Sequence, residues 1–250
     1  VAAKLIYDGY NPLFAVAVAF LSGGIAGTFT GVLNTKLKIN SLLAGILTMT
    51  MLYSLNLRIM GRSNIPLINA DTVLTPLESI NLPTRFLTII FFLLVAFFAK
   101  AMLDLFLHTQ IGLAIRATGD NEQMITSLGV NTDNVTILGL GISNALIALS
   151  GALVAQDQGF ADVGMGIGMI IVGLASVIIG ETLLRKRTVG MMTLAALLGS
   201  IVYRLVISIG LRLGLAPPDL KLSTGIMVIV ALSFPALTGG KESRFHFRGM

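Results

Sequence analysis

Cysteine is absent from this chain, histidine occurs only twice, and charged residues make up 12% of it. Without thiols there is no disulfide framework, no thiolate nucleophile and no Cys-ligated metal. His108 and His246 lie far apart, each near a charged, polar end of an apolar run, which argues against a His-based metal centre. Catalytic patterns are equally scarce. No Walker lysine follows a glycine-rich loop, and no Ser/His, His/Glu or Asp/Asp constellation falls inside an apolar run. Gly164-Met165-Gly166-Ile167-Gly168 superficially suggests a nucleotide loop, but no strand precedes it and no lysine or acidic partner follows at the required distance. We read it as a tight lead into an apolar helix. The scarcity of charge also excludes disorder. With 55% hydrophobic residues and a mean hydropathy of +0.89, the composition argues against a soluble globular domain.

What the chain has instead is a series of apolar runs near 20 residues, about the length a helix needs to cross roughly 30 Å of hydrocarbon. Seven spans are predicted, at about 12–33, 41–57, 86–107, 135–155, 167–184, 188–211 and 220–237. The fold class is therefore all-α, a polytopic transmembrane helix bundle, with residues 1–250 forming one transmembrane domain. The chain starts at Val1, not Met, and seven spans would leave its two ends on opposite sides. At least one further helix is expected upstream.

Within the first span Gly23, Gly27 and Gly31 recur every fourth residue, a small-residue stripe that lets another helix approach closely. The second span is unusually polar, with Thr48, Thr50, Ser54 and Asn56. Hydroxyls can bond back to their own helix, or one face can line a water-filled path. Thr48, Asn56, mid-span Asn144 and Arg204 are the candidate path residues. Lys100 and Asp104 share a face at i, i+4 near the end of the third span, where snorkelling and pairing account for them. Residues 58–85, with Pro66, Pro76 and Pro83, read as a solvent-side loop that has room for a short surface helix.

The net charge of +5 is spread over loops, which reads as membrane topology and not as a nucleic-acid surface. Arg185-Lys186-Arg187 is the clearest marker. Placing it in the cytoplasm puts the Lys36/Lys38 loop, a loop over 108–134 and the basic tail there too, and leaves 1–10, 58–85, 156–163 and 212–219 outside.

The 108–134 loop carries the sharpest local pattern. Asp120 occupies an N-cap position and Gln123 completes a capping box. Met124, Ile125 and Leu128 then share a helical face, and Gly129 offers a permissive C′ residue. A capped amphipathic helix of about two turns is marginal alone and must dock on something.

Here the chain resembles the permease subunits of bacterial ABC importers of the branched-chain amino acid and ribose type. The likeness covers essentially the whole chain. It is strongest in Gly-Leu-Ala-Ile-Arg-Ala-Thr-Gly-Asp-Asn (112–121), in Ser-Leu-Gly-Val-Asn (127–131), and in the runs 141–156 and 164–181, which look like a subgroup labelled uncharacterised or tryptophan/tyrosine-type. The resemblance implies a type II importer-like fold in the bacterial plasma membrane with a cytoplasmic C-terminus. It implies that Gly112, Arg116, Gly119, Asp120, Asn121 and Gly129, with the apolar Met124, Ile125 and Leu128, form a coupling helix that fits a groove on an ATPase subunit. ATP and Mg would be bound by that partner and no cofactor by this chain. The expected partners are two cytoplasmic ATPase subunits, an external substrate-binding protein, a second permease copy in a homodimer and membrane lipid, with no nucleic acid. The chain itself would not be an enzyme. An amino acid, aromatic or branched-chain, is the expected substrate, with a sugar or nucleoside as the other option within the family. Outside the family, an ion-coupled secondary transporter would need an ionisable group near the midplane, and no carboxylate lies buried between spans.

Overall fold

The structure is a computed structural model, and it describes residues 1–68, 70–78, 84–184, 188–212, 214, 222 and 225. The basic run 185–187, the Pro217-Pro218 break, all but residues 222 and 225 of the span expected at 220–237, His246 and the basic tail lie outside the described residues. Two compact units divide the chain, Val1–Met165 and Gly166–Met250.

The first unit contains α1 (Ala2–Tyr7), α2 (Pro12–Thr35), α3 (Ser41–Met60), β1 (Asn64–Pro66), α4 (Thr75–Glu78), α5 (Thr84–Leu107), α6 (Gln110–Asp120), α7 (Glu122–Ser127), α8 (Thr132–Gln158) and β2 (Phe160–Asp162). The second holds α9 (Met169–Leu183) and α10 (Val189–Arg212). Five described helices, α2, α3, α5, α8 and α10, are long and apolar enough to cross a membrane. Helix α9 has 15 residues, shorter than the span predicted at 167–184. At 1.5 Å per residue it rises about 22 Å, less than the roughly 30 Å of hydrocarbon. Gly168, at φ 89°, starts the helix two residues later than the sequence suggests.

The first unit is built on the antiparallel pair α2–α8. A Cβ placed on Gly23 would collide with Ala148, one on Gly27 with the carbonyl of Leu140, and one on Gly31 would lie 2.8 Å from Cα of Ile137. Lipid tails are as apolar as leucine, so close van der Waals contact, and not hydrophobic expulsion, holds such helices together. Bare glycine faces let the two backbones reach that distance. In the second unit α9 and α10 meet the same way, with Gly180 against the Ala195 carbonyl and Gly199 against that of Ser176.

One end of the α2–α8 pair is closed by a cap. Ala15, Val16 and Ala19 of α2 and Ala152, Leu153 and Ala155 of α8 pack with Ala2, Ala3 and Ile6 of α1, and with Ile65, Leu67 and Ala161. Residues 58–85 are thus not simply a solvent-side loop: α3 runs on to Met60, and β1 pairs antiparallel with β2, Ile65 opposite Ala161. Ile65 and Leu67 are fully buried. The buried amide of Gln156 accepts from the backbone N–H of Val73 at 2.8 Å and donates to the Ala152 carbonyl at 3.2 Å, tying this segment to the end of α8. A short ribbon is the one addition to an otherwise helical architecture among the described residues. It satisfies backbone groups that would be costly to bury unpaired.

Candidate functional site: the helical corner at 109–131

At the opposite end of α2–α8 the chain makes three consecutive turns whose geometry follows from single residues. Thr109 caps α6, its Oγ1 accepting from the Gly112 N–H at 3.2 Å and donating to the Phe106 carbonyl at 2.6 Å. Gly112 is buried in the corner itself. A Cβ there would lie on the Phe106 carbonyl and 2.5 Å from Cα of Leu107, so the α5–α6 turn closes only around glycine. Residues 110–120, read from the sequence as loop, are an 11-residue amphipathic helix. Two glycines and a polar face hide its periodicity, and Ile115 meets α8 at Gly139.

Asp120 is not the cap of the next helix. It is the last residue of α6, and Asn121 takes the capping position. The Asn121 backbone N–H closes α6 on the Ala117 carbonyl at 2.9 Å, and its Oδ1 accepts from the Met124 N–H at 3.0 Å to open α7. One residue therefore serves both helices, in an extended conformation at φ −152°, ψ 94°. The capping box with Gln123 falls away with Asp120. Helix α7 ends in a Schellman arrangement: the Gly129 N–H donates to the Thr126 carbonyl at 3.0 Å and the Val130 N–H to that of Ile125 at 3.3 Å. Gly129 sits at φ +84°, where a side chain would be strained. Asn131 then caps α8 through the Asn134 N–H at 3.1 Å.

The three apolar residues of this segment do not share one exposed face. Ile125 is 6% exposed and belongs to the chain's own packing, while Met124 is 55% and Leu128 70% exposed. The expected three-residue docking face is corrected to Met124 and Leu128. An i, i+4 spacing puts them on one side, while Ile125 turns inward on α7, which packs against α6 and α8. Arg116, Gly119, Asp120, Asn121 and Gly129 are exposed as well, and nothing crowds the position a Cβ would take on Gly119. Lys36, just after α2, pairs with Asp133 at the start of α8 at 2.8 Å, so the corner is anchored to the end of the α2–α8 pair.

The candidate path residues lie elsewhere. Thr48 is buried, donating to the Ala44 carbonyl at 2.9 Å and lying 3.0 Å from the Thr30 hydroxyl of α2, so it joins two helices. Asn56 is half-buried in α3. Asn144 is half-buried where α2 crosses α8: its Nδ2 donates to the Leu140 carbonyl at 2.9 Å, and its side chain lies against Gly27. Arg204 is exposed on α10, in the second unit. Lys100 and Asp104 pair at 2.5 Å as their spacing predicts, and His108 continues their face with Nδ1 2.6 Å from the Asp104 carbonyl.

Residues 1–232 match the family described as "Branched-chain amino acid transport system / permease component". The chain is similar to a tyrosine transport system permease protein of Clostridioides difficile (strain R20291), 46% identical over 233 residues that cover 93% of this chain and 76% of the relative. An uncharacterised protein of Rickettsia prowazekii (strain Madrid E) is 36% identical over 223 residues, 88% and 78% of the two chains. An autoinducer 2 import system permease protein of Yersinia pseudotuberculosis serotype O:3 (strain YPIII) is 30% identical over 174 residues, 69% of this chain and 48% of the relative. No solved structure matches the chain significantly.

Proposed function

Because the chain belongs to the family of branched-chain amino acid transport system permease components, we propose that it imports an aromatic amino acid, tyrosine foremost, and that the 109–131 corner is where an ATPase subunit takes hold. The chain is the membrane permease of an ABC importer and not itself an enzyme. Family membership brings an ATPase and a binding protein as partners in general terms. The finer assignments are our reading: ATP and Mg on the ATPase, two permease copies framing one path, a type II importer-like bundle of seven crossings that includes α9 and the apolar run 220–237, and the corner, the Lys36/Lys38 loop and the C-terminus on the cytoplasmic side of a bacterial plasma membrane.

The observation that carries the coupling role is the build of the corner. Short helices are marginal by themselves, yet α6 and α7 have a capping side chain each, a Schellman end and an inward anchor at Ile125. What this rigid frame offers to the outside is Met124, Leu128 and the polar residues around them. A soluble partner that seats these side chains can move the ends of α2 and α8 through the Lys36–Asp133 contact, which is how a motor stroke would become a change of access. The substrate assignment rests on the 46% identity to the tyrosine permease.

The test is reconstitution of the permease with its partner ATPase and binding protein. ATP-dependent tyrosine uptake, with hydrolysis stimulated by the loaded binding protein, supports the reading. Uptake that needs an ion gradient and no ATPase would overturn it.

A further inference from the structure

Helix α10 carries a cation where a membrane helix does not readily accept one. Arg204 stands 15 residues after Val189 and eight before Arg212, the two ends of the helix, which places it about 22 Å from one end and about 12 Å from the other at 1.5 Å per residue. A charge this far inside an apolar span is expensive, and such residues pair, line a cavity or bind an ion or substrate. The α10 face packed on α9 is the one with Ala195 and Gly199. Arg204 lies on another face, and no hydrogen bond or ion pair engages it among the described residues. Ser200 and Ser208 flank it one helical turn away on either side, and with Ile201 and Leu205 they make one open face of α10.

The geometry points to this face of α10 as one wall of the substrate site, with Arg204 receiving the carboxylate of the amino acid in transit. This rests on the amino-acid reading given above. A guanidinium presents its donors as a planar fork that matches the two oxygens of a carboxylate, and the pairing strengthens where water is sparse. Ser200 spends its proton on the Leu197 carbonyl at 2.7 Å, so its oxygen is left as an acceptor for an ammonium group. Ile201 and Leu205 supply the apolar surface on which a ring or branched side chain rests. The arrangement selects a zwitterion with an apolar side chain and rejects neutral sugars, which give the guanidinium no counter-charge.

The absence of cysteine from the chain makes the test clean. Ile201→Cys becomes the only thiol within residues 1–250, and its modification by a maleimide is followed on the intact permease–ATPase complex in liposomes. At a ligand concentration about ten times Kd, occupancy of the site slows labelling about tenfold by mass action. Tyrosine and 3-(4-hydroxyphenyl)propionate, which keep the carboxylate, are expected to protect. Tyramine, which lacks it, is not, and adding Arg204→Gln abolishes protection while Arg204→Lys retains part of it. Protection by leucine but not tyrosine would keep the carboxylate site and remove the aromatic substrate proposed above. Equal protection by tyramine, protection that survives Arg204→Gln, or a thiol that no reagent reaches would each overturn the assignment. Wild-type uptake, measured in parallel, reports on the importer reading separately.

Discussion

Lys36 and Asp133 lie 97 residues apart in sequence and 2.8 Å apart in space, Nζ to Oδ2, across one end of the α2–α8 pair. Asp133 also falls in the first turn of α8, where a negative charge complements the helix dipole. One ion pair therefore fixes the point at which the 109–131 corner meets the bundle. Lys36→Asp sets two carboxylates against each other and is expected to speed hydrogen exchange across residues 130–136. The reversed pair, Lys36→Asp with Asp133→Lys, should restore protection only partly, because lysine is poorly placed at a helix start. Full restoration would show that the dipole contributes nothing here.

Gly27 and Gly24 separate close approach from glycine content in general. Gly27 has the Leu140 carbonyl and Asn144 where a Cβ would stand, whereas a Cβ on Gly24 would find Ala145 at an ordinary 3.6 Å. Gly24→Ala is expected to be neutral. Gly27→Ala should cost about 1–3 kcal/mol through overpacking, and Gly27→Leu should prevent stable assembly. Thermal unfolding of the purified permease in detergent ranks the three, and equal midpoints for Gly24→Ala and Gly27→Leu would contradict the packing described.

Asn121→Ala should lower the stability of α7 by about 0.5–2 kcal/mol, since it removes the side chain that holds the Met124 N–H. Asp120→Ala should leave that helix intact. Amide exchange over residues 122–128 distinguishes them. If Asp120→Ala proves the more damaging, the cap lies one residue earlier than described.

Leu128→Asp and Ile125→Asp should fail differently. Leu128 is exposed, so its variant is expected to fold, insert and lose co-purification with the ATPase together with stimulated hydrolysis. Ile125 is inward, so Ile125→Asp buries an unpaired charge and should destabilise the corner by several kcal/mol. Limited proteolysis between residues 109 and 131 reads this directly. Retained coupling in Leu128→Asp would place the motor contact elsewhere.

The sequence by itself determined the membrane class, because runs of about 20 apolar residues have few other uses. It located all five long described helices to within three residues at each end. Helix starts such as Asn11-Pro12 and Asn131 are local chemistry that needs no tertiary partner. The family could also be recognised, since its motifs are contiguous. Tertiary structure decided what local signals leave open. Asp120 and Asn121 both suit a cap, and the choice fell to Asn121 because α6 continues through Asp120 before the chain turns. Met124, Ile125 and Leu128 look alike in a periodicity, and only the packing of α7 against its neighbouring helices turns Ile125 inward. The ribbon at 64–66 and 160–162 joins segments nearly a hundred residues apart, each too short to signal a strand. The same holds for the Lys36–Asp133 pair and for the neighbour of each glycine: a residue's chemistry is written locally, but its partner is chosen by where distant helices come to lie.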